Sequence, residues 1–231
     1  MIMTLPKTVR SGTLARQAII SGRVQDGLTG AAPLGRITVR LLDRDTGDEY
    51  PLRGTVLADG HFAFHATPEK AFPGLAERAY HLRVEASAPR YTSDGFDFDV
   101  GPVADQPAEV VVPVPTPGIP DLNVRLFTAG GLPRTGISLT LDRESVRLEG
   151  RVVVSTDPDA GVANATVQQN PPGGPSTTTG SEGFFAFVDP LPIVLSLQLR
   201  ISAASFENTI MTYEVDYTRP VNRVTILLKP S

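Results

Sequence analysis

Two histidines in "ADGHFAFHA" (residues 58–66) are the first residues whose type and spacing could do chemistry. His61 and His65 stand on either side of Phe62-Ala63-Phe64. Imidazole binds metals and moves protons near neutral pH, so the pair raises the question of a zinc or acid–base site. The spacing argues against one shared metal. Four residues along a strand cover about 13 Å, whereas two ligands of one zinc each sit about 2.0–2.1 Å from the ion. A helix would bring positions i and i+4 together, but no helical period runs through this stretch. The third histidine, His81, could approach one of them from another strand. The plainer reading makes His61 and His65 exposed positions on a sheet face whose other side carries Phe62 and Phe64.

The second candidate is "DRDTGDE" (43–49). Asp43, Asp45 and Asp48 could present oxygens to calcium. A calcium loop of the EF-hand type needs further ligands and a Glu at its twelfth position, and these are absent. The competing reading is a polar hairpin turn in which Gly47 supplies a positive φ.

Other chemistries lack their residues. There is no cysteine, hence no thiol nucleophile and no disulfide framework. The nucleophile-elbow pattern G-x-S-x-G does not occur. A self-formed isopeptide bond needs a lysine on an early strand, and none lies in 19–25 or 147–154. A sandwich dioxygenase iron site needs two Tyr and two His, and the three histidines supply no suitable pair. With no tryptophan, aromatic platforms for sugar reduce to Tyr50, Tyr80 and Tyr91. We therefore expect no catalytic residue and no cofactor, with Asp43, Asp45 and Asp48 as the only metal candidates.

The elements that must hold these residues are strands. Apolar and polar residues alternate with period 2, as in Phe96, Phe98 and Val100 against Asp97 and Asp99. Turn signals recur at Asp26-Gly27, Thr46-Gly47, Asp59-Gly60, Asp94-Gly95 and Pro172-Gly173-Gly174. Only "PEKAFPGLAERAY" (68–80) offers a helical turn, and Pro73-Gly74 would break it.

The pattern occurs twice. Gly22-Arg23-Val24 matches Gly150-Arg151-Val152, and Gly60-x-Phe62-x-Phe64 matches Gly183-x-Phe185-x-Phe187. "YHLRVEASAPRY" matches "LQLRISAASF", and the closing apolar runs are "AEVVVPV" and "NRVTILLKP". The first copy predicts strands near 19–25, 36–42, 50–57, 61–66, 79–87, 94–100 and 108–114. The second predicts them near 147–154, 164–169, 176–179, 184–188, 195–203, 210–217 and 221–229. This is an all-β chain of two tandem seven-stranded β-sandwiches. Its parts are an N-terminal arm (1–18), domain 1 (19–115), a linker and hairpin (116–146), and domain 2 (147–231). Pro113, Pro115, Pro117 and Pro120 stiffen the linker. "LNVRLF" and "GISLTL" are expected to form a hairpin around Gly130-Gly131.

These residues resemble the carboxypeptidase regulatory-like, or transthyretin-like, β-sandwich. Gly22, Val24, Asp26, Gly60, Phe62, Phe64, Leu82, Val84 and Tyr91 carry the likeness in the first copy. Gly150, Val152, Ala165, Val167, Gly183, Phe185, Phe187, Leu199, Ile201 and Phe206 carry it in the second. The resemblance implies a non-catalytic accessory, adhesion or assembly module. The junction "LPRTGISLTLDRESVRLEGRV" also resembles the lead-in to such a domain in accessory proteins of phage-tail-like contractile injection systems.

The charge of −4 disfavours nucleic acid as a partner. Lys7, Arg10 and Arg16 interrupt the N-terminal stretch, so it does not read as a signal peptide. No apolar run approaches the roughly 20 residues of a membrane span. We expect a cytoplasmic chain, or one released within a particle, that binds protein subunits of a larger assembly or copies of itself. The alternative is a carbohydrate- or calcium-binding module accessory to an enzyme. The histidine face of 61–65 has apolar counterparts in the second copy: Phe184, Ala186 and Val188. That exchange predicts a sheet face covered by the other domain or by a partner. "DPLPIVLSL" (189–197) is expected to enter a buried strand.

Overall fold

The computed structural model describes residues 12–13, 17–75, 77–102, 108–113, 123–128, 130–170 and 173–231. The chain divides into two compact units, Met1–Leu141 and Asp142–Ser231. Most of the arm, with Pro115, Pro117 and Pro120 of the linker, lies outside the described residues.

Unit 1 contains β1 (Gly12–Thr13), β2 (Gln17–Asp26), β3 (Thr38–Asp43), β4 (Gly54–Val56) and β5 (His61–Ala66). The helical turn α1 (Pro68–Ala71) follows, then β6 (Tyr80–Ser87), β7 (Asp94–Val100), β8 (Ala108–Pro113), β9 (Asn123–Thr128) and β10 (Arg134–Leu141). Proline at the first position of α1 suits a helix start, where its missing N–H costs nothing. The turn stops before Pro73-Gly74, as the sequence predicts.

Two sheets, β10-β2-β5-β4 and β3-β6-β7, share one apolar cluster. Ile20, Val24, Phe62, Phe64 and Leu139 come from the first, and Leu41, Leu82, Val84 and Phe98 from the second. The alternation in sequence is an alternation of burial. In β6, Tyr80, Leu82, Val84 and Ala86 are buried while His81, Arg83 and Glu85 face outward. Each such apolar side chain contributes about 1.5–3 kcal/mol relative to exposure.

Unit 2 contains β11 (Arg147–Val154), β12 (Asp157–Gly161), β13 (Thr166–Asn170) and β14 (Ser176–Thr178). After them come β15 (Phe184–Ala186), β16 (Ser196–Ser202), β17 (Thr209–Glu214) and β18 (Val221–Leu228). One sheet centres on β11, which pairs with β15, β18 and, at its end, β12. The other runs β14-β13-β16-β17. The short β12, "DPDAG", has no apolar alternation and gave no signal in the sequence.

The repeated glycines have a common cause. Gly22 lies opposite Phe62 on one side and Ile137 on the other; Gly150 lies opposite Phe185 and Val224. A Cβ on Gly22 would come within 2.0 Å of the Ile137 carbonyl oxygen and 2.8 Å of the Phe62 ring. On Gly150 it would meet the Val224 oxygen at 2.2 Å and the Phe185 ring at 2.8 Å. The phenylalanine rings lie across these glycines, so no larger residue fits.

One expectation fails. β18 lies parallel to β11, and its counterpart in unit 1 is β10, parallel to β2. "AEVVVPV" is therefore not the closing strand of the first copy. It forms β8, which pairs with β9, and β1 adds to β9 in a separate three-stranded sheet. The expected hairpin within 116–146 does not form either, because "LNVRLF" pairs with β8 and "GISLTL" joins the main sheet. The physical reason lies in the alternation. Ile137, Leu139 and Leu141 present one continuous apolar face to the core, the positions that Val224, Ile226 and Leu228 hold in unit 2. Unit 1 thus extends through Leu141 rather than ending at residue 115.

Candidate functional site

The outer face of β3-β6-β7 gathers the charges of unit 1. His81 lies directly opposite Asp99, and Arg83 opposite Asp97. The His81 ring nitrogen Nδ1 is 2.9 Å from Asp99, and Arg83 is 2.8 Å from Asp97. Arg44 reaches Asp97 at 3.6 Å and Asp99 at 3.5 Å, and Arg40 meets Glu85 at 2.7 Å. The hydrogen bond to Asp99 raises the pKa of His81. Exposed pairs like these are screened by solvent and contribute little to stability, but they saturate one another's charge.

The three histidines do not converge. His61 and His65 are on β5, whereas His81 is on β6 in the facing sheet. His61 Nδ1 sits 3.0 Å from the Asp59 carboxylate, which also accepts from the His61 backbone N–H at 3.1 Å. That backbone bond leads the causes that lower the Asp59 pKa. His65 is exposed and lines a shallow cleft with Arg53, Thr67 and Lys70.

Asp43 is occupied by its own turn. Its Oδ1 accepts from the N–H groups of Asp45 at 2.9 Å and Thr46 at 3.3 Å, and its N–H donates to the Asp48 carbonyl at 2.9 Å. Gly47 has φ 78°, as the turn requires. Among the described residues no group of three or more His, Cys, Asp or Glu could hold a metal ion.

Two of the sugar-platform candidates are core residues, and Tyr50 is half-buried against the core. Tyr80 and Tyr91 are each 7% exposed. Tyr80 donates its hydroxyl to the Pro73 carbonyl. Tyr50 packs on Phe72 and Tyr80 at centroid distances of 5.2 and 6.1 Å, and its hydroxyl donates to the Ala71 carbonyl at 2.7 Å. Burial pushes its pKa up to about 12. Tyr80 and Tyr91 fill space in the core, while the half-buried Tyr50 borders the cleft that holds His65.

Unit 2 differs from unit 1 in what it exposes. Phe184 is 61% exposed and Val188 89%, on the face expected to pack on the other domain or on a partner. In "DPLPIVLSL", Leu191 and Leu197 are buried, but Ile193 and Leu195 are exposed. Ile210 and Leu227 are exposed as well. On the second sheet Ile210 lies opposite Arg200, where unit 1 sets Asp97 opposite Arg83. Arg151 stacks on the Phe184 ring at 5.2 Å and donates to the carbonyls of Glu182 and Asp159, both at 2.9 Å. Arg223 pairs with Glu149 at 2.6 Å. These groups border a cleft over β11, β15 and β18. A surface of this kind can bind another polypeptide through apolar contact and backbone hydrogen bonds. Among the described residues no helix is long and apolar enough to cross a membrane.

No protein-family model matches the chain, and no curated protein does. The carboxypeptidase regulatory-like resemblance thus rests on the quoted residues alone. Among solved structures, the chain is similar to the Bacillus anthracis TIE protein, with 11% identity and a TM-score of 0.36 over 92% of this chain. It spans 34% of the length of that protein. It is also similar to a C-terminal fragment of the pilus adhesin SpaC from Lactobacillus rhamnosus GG (12% identity, TM-score 0.31, covering 93% of this chain and 98% of that one). A third is BcpA, the major pilin subunit of Bacillus cereus (7% identity, TM-score 0.31, covering 86% and 58%). Likenesses at this level specify neither family nor function.

Proposed function

We propose that this chain is a non-enzymatic protein that works by binding other protein chains within a larger assembly. The observation that carries this reading is the exposure of Phe184, Val188, Ile193, Leu195, Ile210 and Leu227 in unit 2. Phe184, Ala186 and Val188 alternate on one outward side of the chain, and exposed apolar surface of this kind marks sites that associate. Of the titratable groups singled out by sequence, His61, His81 and Asp43 are engaged with close neighbours in turns or cross-strand pairs.

The narrower reading is a component of a phage-tail-like contractile injection system, made in the cytoplasm. Its support is the resemblance of residues 132–152, the stretch that supplies β10 and most of β11. Mild cross-linking of native lysate, followed by native mass spectrometry, tests both readings. The broad one expects the chain in a species of fixed stoichiometry with other subunits, and recovery as a lone monomer would overturn it. Subunits unrelated to sheath, tube or baseplate would overturn only the narrower one.

A further inference from the structure

The two units differ at one sheet edge. In unit 1, β4 runs antiparallel beside β5, with Gly54 opposite Phe64, Thr55 opposite Ala63 and Val56 opposite Phe62. The turn joining them is repeated in unit 2. Leu57 N–H donates to the His61 carbonyl and Gly60 N–H to the Leu57 carbonyl; Gly180 N–H donates to Phe184 and Gly183 N–H to Gly180 in the same way. This equates Leu57 with Gly180, so residues 177–179 correspond in sequence to Gly54–Val56. In space they go elsewhere. Ser176, Thr177 and Thr178 pair with β13 in the other sheet. Thr179 secures the crossing: its N–H donates to the Ala165 carbonyl at 2.9 Å and its hydroxyl to the Val162 carbonyl at 2.6 Å. Among the described residues, no strand lies beside β15 on the side away from β11.

The backbone on that side is ready to pair. Val152 N–H donates to the Gly183 carbonyl, and Phe187 N–H to the Leu148 carbonyl. Antiparallel alternation therefore turns Gly183, Phe185 and Phe187 toward β11, and Ala186 and Val188 outward. Ala186 is exposed, and the exposed side chains of Phe184 and Val188 flank it. Three of the charged groups beside the strand are already engaged. Glu149 holds Arg223, and Arg151 is held by two carbonyls and the Phe184 ring. β15 itself, Phe184–Ala186, carries no charged residue, so a strand laid along it needs none of its own.

We propose that β15 is an acceptor edge for one antiparallel strand from another polypeptide, uncharged, with a small residue opposite Phe187. Unit 1 supplies the template. A Cβ on Gly54 would meet the Phe64 ring at 3.0 Å, and Phe187 is the counterpart of Phe64. The added strand would hold the place of Gly54–Val56, with its central residue exchanging both backbone bonds with Ala186. This inference rests on the protein-binding reading above and names the site through which it acts.

The test uses the full chain and a synthetic peptide in which Gly-Thr-Val is flanked by serines. At millimolar peptide, amide exchange at Ala186 should slow by about tenfold or more, while Phe187, already bonded to β11, stays unchanged. N-methylation of the peptide threonine should abolish the effect, as should Ala186→Pro, which removes the protein's donor. If Ala186→Pro does not fold, the N-methylated peptide alone decides. Unchanged exchange at Ala186, or equal protection by the N-methylated peptide, overturns the proposal. Protection that grows with protein concentration in the absence of peptide would assign the edge to a second copy and overturn the choice of partner. A native assembly in which Ala186 exchanges freely would sink this inference and leave the assembly reading standing. A lone monomer that still binds the peptide would do the reverse.

Discussion

The hydroxyl of Tyr91 donates to Asp26 Oδ2 at 2.7 Å, joining two buried side chains 65 residues apart. Asp26 Oδ1 accepts from the backbone N–H groups of Leu28 at 2.8 Å and Thr29 at 3.2 Å. The Tyr91 oxygen in turn accepts from Leu34 N–H at 3.1 Å. One carboxylate thus ties the end of β2 to the turn after it and to the chain beyond β6. Asp26→Ala would leave the buried Tyr91 hydroxyl and the N–H groups of the following turn without their acceptor and should cost about 2–3 kcal/mol in urea unfolding of unit 1. Tyr91→Phe keeps the ring and should cost about half as much. Equal stability of Asp26→Ala and the parent would show that the network contributes nothing.

The repeated glycines make a prediction with an internal control. Gly22→Ala and Gly150→Ala should each destabilise their own unit by about 2–3 kcal/mol, because the added methyl meets a carbonyl oxygen and a phenylalanine ring. Gly30 has φ 68° with no atom within 4 Å of an added Cβ, so Gly30→Ala bears only backbone strain of about 1 kcal/mol. Thermal unfolding read separately for each unit checks the ranking.

Two exposed contacts should work in opposite pH windows. His81 in the folded chain holds its proton above the usual 6.5, because Asp99 accepts from its ring. Its support of the fold is complete below 6.5 and fades as pH rises through the higher folded value. Asp216 is lowered below 3.8, first by the Thr218 hydroxyl, which donates at 2.5 Å. Its contribution is present above 3.8 and is lost as pH falls through the lower folded value. Side-chain NMR titration should give a His81 midpoint above 6.5 that moves down in Asp99→Asn. A midpoint unmoved by that substitution would show that Asp99 is not what holds the proton.

Asp94 guards an edge. Its Oδ2 accepts from Thr140 N–H at 2.8 Å, on the side of β10 turned away from β2, and its Oδ1 accepts from Gly95 N–H. Asp94→Ala should uncover that donor, costing about 1 kcal/mol and raising self-association seen by light scattering. Asp94→Asn keeps an acceptor and should stay close to the parent.

Strand spans were legible wherever alternation was strict. β5, β7 and β11 occupy the expected residues 61–66, 94–100 and 147–154. The closing strand of unit 1 was not legible, because "AEVVVPV" is the more apolar run and comes first in order. Only pairing distinguishes it from Ile137, Leu139 and Leu141, whose alternation fits a sandwich with one wet face. The turn at Asp43 and the outward face of His61 and His65 followed from residue type and period. The burial of Tyr50, Tyr80 and Tyr91 did not, since it depends on partners such as Phe72 and Asp26 that lie far along the chain. Phe184 was visible as an apolar residue out of phase. Its exposure was not, because residues 177–179 could have joined either sheet, and Thr179 settles that choice through tertiary hydrogen bonds.

The parallel pairing of β10 with β2 also imposes an order of events during synthesis. Gln25 donates to Thr140 across 115 residues of chain. At the usual elongation rate of about 5–20 residues per second, β2 leaves the ribosome roughly 6–25 s before its last neighbour. Through that interval unit 1 has six of its sandwich strands and one side of β2 unpaired. The nascent chain is then most open to a wrong pairing, and a chaperone that shields β2 until residue 141 emerges would raise the yield of folded protein.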